Sequence, residues 1–119
     1  MGKLVTDGFL DGGIDAIDGS TTLTICAGEP VSIADIAARA LASVAIDGAD
    51  FTKANGDTSG RKVIVAQQSG MSITSSGSAD HVVIDNGVDY YVTTCTLQVL
   101  TSGGTVTAPA WDIEFADPV

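Results

Sequence analysis

The feature that most constrains the fold is a series of short strand-like segments that fills the second half of the chain. From residue 60 onward, apolar or alternating segments are separated by clusters of Gly, Ser and Asn. The strand-like segments are 61–67, 71–74, 81–85, 89–100 and 106–115. Closely spaced strands joined by tight turns are typical of antiparallel sandwiches and barrels. The pattern therefore predicts a mainly β fold, an antiparallel β-sandwich or barrel.

Two turn signals predict how the last strands pair. Asn86-Gly87 is a strong signal for a two-residue hairpin, and we expect a type I′ turn because both residues accept positive φ. Ser102-Gly103-Gly104 marks the next turn. We therefore expect 81–85 to pair with 90–95 and the last three strands to form an antiparallel meander. Pro109, inside the last segment, is expected at an edge or a bulge.

The N-terminal segment 1–18 is predicted to be a short helix or an arm. Apolar residues recur at helical spacing within 7–18, but Gly12 and Gly13 each weaken a helix by up to about 1 kcal/mol. A helix of this kind needs a partner for its apolar face, either a neighbouring protein or the end of the sandwich.

A second helical pattern follows a short strand. Residues 22–26 alternate like a strand, and Ser32 is a plausible N-cap with Asp35 in the first turn. Residues 41–46 fit either a continuing helix or a strand, and we favour a helix over about 32–38 followed by a strand. The expected fold thus has one or two short N-terminal helices.

Length and composition predict a single β-rich domain over 1–119. A chain of 119 residues has the size of one domain, and 45% hydrophobic with 17% charged residues does not resemble disorder. The acid is nearly all Asp, which suits turns and caps better than helix interiors. Apolar runs such as 63–66 fall far short of the roughly 20 residues that span a bilayer, so we expect no membrane partner and no secretory signal.

The charge of the chain argues against nucleic-acid binding. The formal net charge is −10 and the sequence pI is about 4.1. Binding to phosphate backbones needs clustered Lys and Arg, whereas the five basic residues here are scattered and only Arg61 and Lys62 are adjacent.

Motifs for catalysis, nucleotides and metals are weak. His81 is the single histidine and opens a strand, where a structural role is favoured over catalysis. Residues 56–62 depart from the phosphate-loop spacing. Asp11, Asp15 and Asp18 have helical spacing and not that of a calcium loop. We therefore predict no enzyme activity, no catalytic residues, no cofactor and no metal site, with cation binding by other Asp-rich loops left open.

Cysteines and aromatic residues provide the remaining candidates. Cys26 and Cys95 are expected to be buried thiols, with a disulfide as the alternative. Of the adjacent Tyr90 and Tyr91, one should face the core and the other solvent. An exposed Tyr beside Trp111 would suit an interface, although Trp111 is also a candidate for the core. The interface candidates are Phe9, Leu10, Ile14, Tyr90 and Trp111.

A series of motifs covers nearly the whole chain in a distinctive order. The motifs are Asp-x-x-Leu-Asp-x-x-Ile-x-x-Ile (7–17), Cys-Ala-Gly-Glu-Pro (26–30), Ala-Asp-Phe-Thr (49–52), Asn-Gly-Asp-Thr-Ser-Gly-Arg-Lys-Val (55–63), Gly-Ser-Ala-Asp-His (77–81) and Pro-Ala-Trp-Asp-Ile-Glu-Phe-Ala-Asp-Pro (109–118). The series resembles a family of small virion proteins encoded in the structural modules of tailed bacteriophages.

The resemblance implies a structural protein of the phage head, a decoration or cement protein on the outer surface of the shell. Its implied partner is the major capsid protein, and it would act as a homo-oligomer or in many copies on the capsid after synthesis in the host cytoplasm. A tail, neck or fibre component is the nearest alternative. A carbohydrate-binding sandwich is a further alternative, but six aromatic residues leave few for a sugar-binding face.

Overall fold

Antiparallel strands are the main secondary structure of this protein, and the nine described strands contain 55 residues. The computed structural model describes residues 7–57 and 59–115, but not the side chains of 7–11 and 13. The described elements are α1 (Asp7–Asp18), β1 (Thr22–Cys26), α2 (Ile33–Arg39), β2 (Ala40–Ala45), a 3₁₀ turn (Gly48–Asp50), β3 (Phe51–Asn55), β4 (Arg61–Val65), β5 (Gln68–Ser72), β6 (Gly77–Asp85), β7 (Tyr90–Leu100), β8 (Thr105–Ala108) and β9 (Trp111–Phe115). The predicted mainly β fold is confirmed, and its antiparallel sheets are compatible with a sandwich.

The strands form three sheets. The largest has the order β2-β1-β6-β7, the second β3-β4-β9, and a two-stranded sheet pairs β5 with β8. A single bridge between Ala42 and Ile73 connects the first sheet to the segment after β5. The main core lies between the two larger sheets, where Leu23 and Ile25 of β1 share one cluster with Val63 and Val65 of β4.

Both predicted helices are present. In α2, the Ser32 hydroxyl accepts a hydrogen bond from Asp35 N at 3.1 Å, and Asp35 in turn accepts one from Val31 N at 3.1 Å. These bonds satisfy backbone donors that a helix start leaves without partners. The helix ends at Arg39, and β2 begins directly after it, as favoured from the sequence.

Both faces of the largest sheet are covered at β1, by different layers. Alternation places Leu23 and Ile25 on the sandwich core, whereas Cys26 points to the other face and packs with Val83 and with Ile36 of α2. α1 contributes Ile14, which is fully buried in the main core. A sheet covered on both sides explains why β1 has four buried residues in succession.

The β6–β7 hairpin is confirmed, but its turn is not type I′. Asp85 pairs with Tyr90 and His81 with Thr94, so the loop has four residues, closed by Asn86 N donating to Asp89 O at 3.1 Å. Positive φ occurs at Gly87 and not at Asn86, which excludes type I′. The Asn86 side chain accepts from Val88 N and Asp89 N at 2.9 and 2.8 Å, and it stabilises the longer loop instead.

The predicted meander of the last three strands is wrong. β7 pairs with β6, but β8 pairs with β5 and β9 pairs with β4. The turn after β7 is bound to Ile73, which exchanges 3.0 Å backbone hydrogen bonds with Gly103 and Gly104. These bonds direct the chain towards β5. The predicted last strand is divided at Pro109 into two strands that belong to different sheets.

One strand was absent from the sequence prediction. β3 begins at Phe51, whose side chain is buried, and it pairs along its length with β4. The segment has charged and polar residues because one face of the strand is exposed. It therefore lacks the run of alternating apolar residues that identifies a strand in the sequence.

Candidate functional site

A groove of about 720 Å³ lies beside the terminal strands of the two larger sheets. β7 forms one wall, and the segment from Val106 to Asp112 forms the other. Its size falls within the usual range for ligand pockets. Its lining combines four threonines and Gln98 with apolar residues, and its charged side chains are Lys62 and Asp112.

The charged groups at the groove are already paired. Lys62 is 16% exposed, and its Nζ lies 2.6 Å from Asp57 Oδ1 and 3.3 Å from Asp112 Oδ2. Hydrogen bonds to Asp57 and then Asp112 raise the pKa of Lys62. A lysine held between two carboxylates stays protonated and is poorly suited to act as a nucleophile or a base.

A second polar cluster joins the largest sheet to the loop after β1. Asp80 Oδ1 accepts a 2.7 Å hydrogen bond from Gly28 N and lies 2.8 Å from His81 Nδ1. The His81 contact, followed by the Gly28 bond, lowers the pKa of Asp80. Nearby, Arg39 Nε donates to Asp35 at 2.8 Å, and this bond lowers the pKa of Asp35. The cluster connects α2, β1 and β6, and this supports a structural role for His81.

Cys26 and His81 are candidates for a Cys–His pair in which a histidine activates a thiol as a nucleophile. The two residues face each other across β1 and β6. Burial raises the pKa of the Cys26 thiol to about 11, and its Sγ contacts Ile36 O at 3.9 Å. A nucleophilic cysteine needs a lowered pKa, so this thiol behaves as a core side chain.

The two thiols differ in exposure. Cys26 is buried as expected, whereas Cys95 is exposed, and both are free. The expectation of two buried thiols is therefore wrong for Cys95. That residue lies in β7 where the register with β6 shifts between Ala79 and His81. Partial burial is the main cause that raises the pKa of Cys95.

The outer surface of β7 is the main exposed apolar feature of the described chain. Tyr90, Leu97 and Val99 of this strand are 39%, 64% and 75% exposed, and Val88 in the preceding loop is 78% exposed. Among the side chains that the structure describes, Val31 is the one other large apolar side chain that is exposed. None of the 5 basic and 15 acidic residues of the chain lies between Tyr90 and Trp111.

The structure separates the predicted interface residues. Ile14 is fully buried in this chain's own core, so it is not available to a partner. Tyr90 is exposed, as one of the two tyrosines was expected to be. Trp111 stacks on Tyr91 with ring centroids 6.1 Å apart, and both pack against the core. Trp111 thus has the contacts of a core residue, which was the alternative to an interface role. The side chains of Phe9 and Leu10 lie outside the described residues.

The Asp-rich loops serve backbone caps and ion pairs. Asp47 Oδ1 accepts from Ala49 N at 2.9 Å, and Asp50 Oδ2 accepts from Asp47 N at 2.9 Å. These reciprocal bonds form a capping box for the 3₁₀ turn. Within residues 7–57 and 59–115, no group of three or more His, Cys, Asp or Glu side chains could hold a metal ion.

Neither helix in the described part of the chain has the length and apolar character needed to cross a membrane. Comparison with protein-family models, curated proteins and solved structures gave no match in any of the three.

Sequence reasoning missed the β7 surface, although one signal for it was present. The stretch without charges stands out in a chain of net charge −10. The sequence did not indicate that this stretch forms the terminal strand of a sheet. The predicted meander instead paired it with the strand that follows residues 102–104.

Proposed function

We propose that this protein is a non-enzymatic structural component of a tailed-phage virion, a decoration protein that stabilises the outer surface of the head. The observation that carries the proposal is the concentration of exposed apolar side chains along β7, a strand without charged residues, and in the loop before it. The charged groups at the groove, by contrast, pair with one another. This distribution favours a protein that acts by contacting other proteins.

The proposed location on a phage head rests on the series of motifs that resembles small virion proteins. The charge supports an outer position, because a chain of net charge −10 is repelled by packaged DNA. Many copies on a repeating lattice gain avidity, so a modest contact per copy suffices. The major capsid protein is the proposed partner in the shell.

The N-terminal segment is the proposed contact with the capsid protein. Ile14 is buried in the core and Ile17 packs against it, so the second half of α1 is anchored to the sandwich. Phe9 and Leu10 precede this anchor and are the candidate contact residues. Removing 1–18 would also remove Ile14 and would test folding more than binding. The sharper variant is Phe9→Ser with Leu10→Ser.

Two measurements test the proposal. Quantitative mass spectrometry of purified virions should find hundreds of copies per particle, whereas a handful of copies would assign the protein to the tail or neck. Added protein should bind expanded heads and raise the temperature at which they release DNA. At a hundredfold excess over Kd, binding stabilises each site by about 2.7 kcal/mol. Failure of folded wild-type protein to bind heads at any salt concentration would refute the decoration role.

A further inference from the structure

The free edge of β7 is suited to pairing with another strand. β7 ends the sheet β2-β1-β6-β7, so every second residue directs its N–H and C=O groups away from β6. We propose that this edge pairs antiparallel with β7 of a second copy of the chain, about a two-fold axis near Cys95. The two four-stranded sheets then become one continuous sheet.

The strand lacks most features that protect sheet edges. Natural edges are kept from pairing by short length, charged side chains, proline or bulges. β7 has 11 residues, which corresponds to a length of about 36 Å, and it contains no charged residue and no proline. Its one irregularity is a bulge between Thr94, which pairs with His81, and Gln98, which pairs with Ala79. At this bulge the three residues Cys95–Leu97 lie opposite the single residue Asp80. The parts on either side of this bulge remain regular.

Charge identifies a second copy as the occupant. Two chains of net charge −10 repel each other through their acidic surfaces. Pairing through β7 brings together two strands that carry no charged residue of their own. A partner recognised by its basic groups would instead bind an acidic surface, which β7 does not provide.

The exposed apolar side chains gain burial in such a pair. Leu97 and Val99 are 64% and 75% exposed, and alternation places them on the opposite face of the strand from Gln98 and Leu100, which line the groove. A paired strand edge buries less than the roughly 800 Å² per partner of a standard interface. We therefore expect a weak dimer whose population depends on concentration.

Sedimentation velocity of the full chain over a wide concentration range tests this assembly without phage heads, so it is independent of the proposed function. The wild type should dimerise, and Leu97→Asp with Val99→Asp should weaken dimerisation at least tenfold. The matched control is Val31→Asp, because Val31 is also 75% exposed but lies outside β7. It should dimerise like the wild type. Circular dichroism of each variant verifies that the fold is retained.

Cys95 provides a direct probe of the strand pairing. It is the middle residue of β7, and it is the exposed thiol while Cys26 is buried. A short bifunctional maleimide at mildly alkaline pH should join two copies through Cys95. Cys95→Ser should abolish the cross-link while leaving the sedimentation behaviour unchanged.

Two results would overturn the inference. The first is a wild type that stays monomeric at the highest soluble concentration. If the β7 variants of such a monomer also fail to bind heads, the edge belongs to the contact with the capsid protein. The second is a dimer that neither cross-links through Cys95 nor responds to the β7 variants, because its interface lies elsewhere.

Discussion

At the scale of single residues, Gly56 occupies a tight turn that has no room for a side chain. Gly56 closes the β3–β4 hairpin, where its N donates to Gly60 O at 2.9 Å. A Cβ at this position would lie 2.0 Å from the carbonyl oxygen of Ser59 and 2.4 Å from a carboxylate oxygen of Glu114. The first neighbour is backbone, so it cannot move without changing the turn.

Gly56→Ala should therefore destabilise the protein by about 1–3 kcal/mol, the usual cost of overpacking. Gly48→Ala is the control, since a Cβ there has no neighbour within 4 Å, and it should change the unfolding free energy by less than about 0.5 kcal/mol. Urea denaturation of both variants measures the difference. Equal effects of the two substitutions would contradict the described turn.

Asp80 predicts a pH dependence of stability. Its pKa in the folded chain is lowered, mainly by the contact with His81 and then by the bond from Gly28 N. A lowered folded pKa contributes stability that is fully present above the unfolded value of about 3.9. That contribution is lost as the pH falls through the lower folded value.

Asp80→Asn should accordingly reduce the unfolding free energy at neutral pH, and its difference from the wild type should shrink below about pH 4. Denaturation at a series of pH values measures this. Glu29→Gln is the matched control, because it removes an exposed carboxylate from the adjoining loop and leaves the Gly28–Asp80 bond in place. A difference for Asp80→Asn that stays constant with pH would show that the lowered pKa of Asp80 contributes nothing to stability.

At the scale of secondary structure, α1 depends on the sandwich for its stability. The helix contains Gly12 and Gly13, and isolated helices of this length are marginal in water. Ile14 is fully buried in the main core and Ile17 packs against that core. Tertiary contacts thus compensate for poor intrinsic helix propensity.

Ile14→Ala should cost about 2–5 kcal/mol, because it deletes buried methyl groups and leaves a cavity. In this variant, amide protection from hydrogen exchange should fall more in α1 than in β6, because Ile84 and Val83 of β6 remain packed. Val31→Ala, at an exposed apolar position, should change stability by less than about 0.5 kcal/mol. Undiminished protection of α1 in the Ile14 variant would mean that other contacts anchor the helix.

At the scale of the whole molecule, an elongated shape is combined with a large negative charge. The described chain extends 55 × 25 × 24 Å, and its net charge is −10. Self-repulsion of this kind destabilises the folded state, and salt reduces it by screening.

Raising sodium chloride from about 0.02 to 0.3 M should therefore increase the midpoint of thermal unfolding, since the Debye length falls well below the dimensions of the molecule. Differential scanning calorimetry at several salt concentrations measures the shift. A charge-reduced variant with exposed Asp residues changed to Asn, apart from Asp80, should show a smaller shift. An equal shift in both proteins would assign the salt effect to another cause.

The sequence by itself determined most local elements of this protein, with β3 as the exception. Helical periodicity and the Ser32 cap predicted both helices, and turn residues predicted the β6–β7 hairpin. These features depend on residues close in sequence, whose backbone preferences and hydrogen bonds are readable from composition and spacing. The loop conformation after Asp85 was missed because the Asn86 side chain bonds two backbone amides and favours a longer turn.

Only the tertiary structure decided how β8 and β9 pair and which strand ends the largest sheet. β5–β8 and β4–β9 join segments far apart in the chain, and their choice depends on which sheet buries each apolar face. The same choice leaves β7 at an edge and Cys95 exposed. The sequence shows that the stretch carries no charge. It does not show that the strand lies at an edge, because central and edge strands have the same alternation of apolar and polar residues. The physical difference lies in the hydrogen bonds that a distant strand does or does not supply.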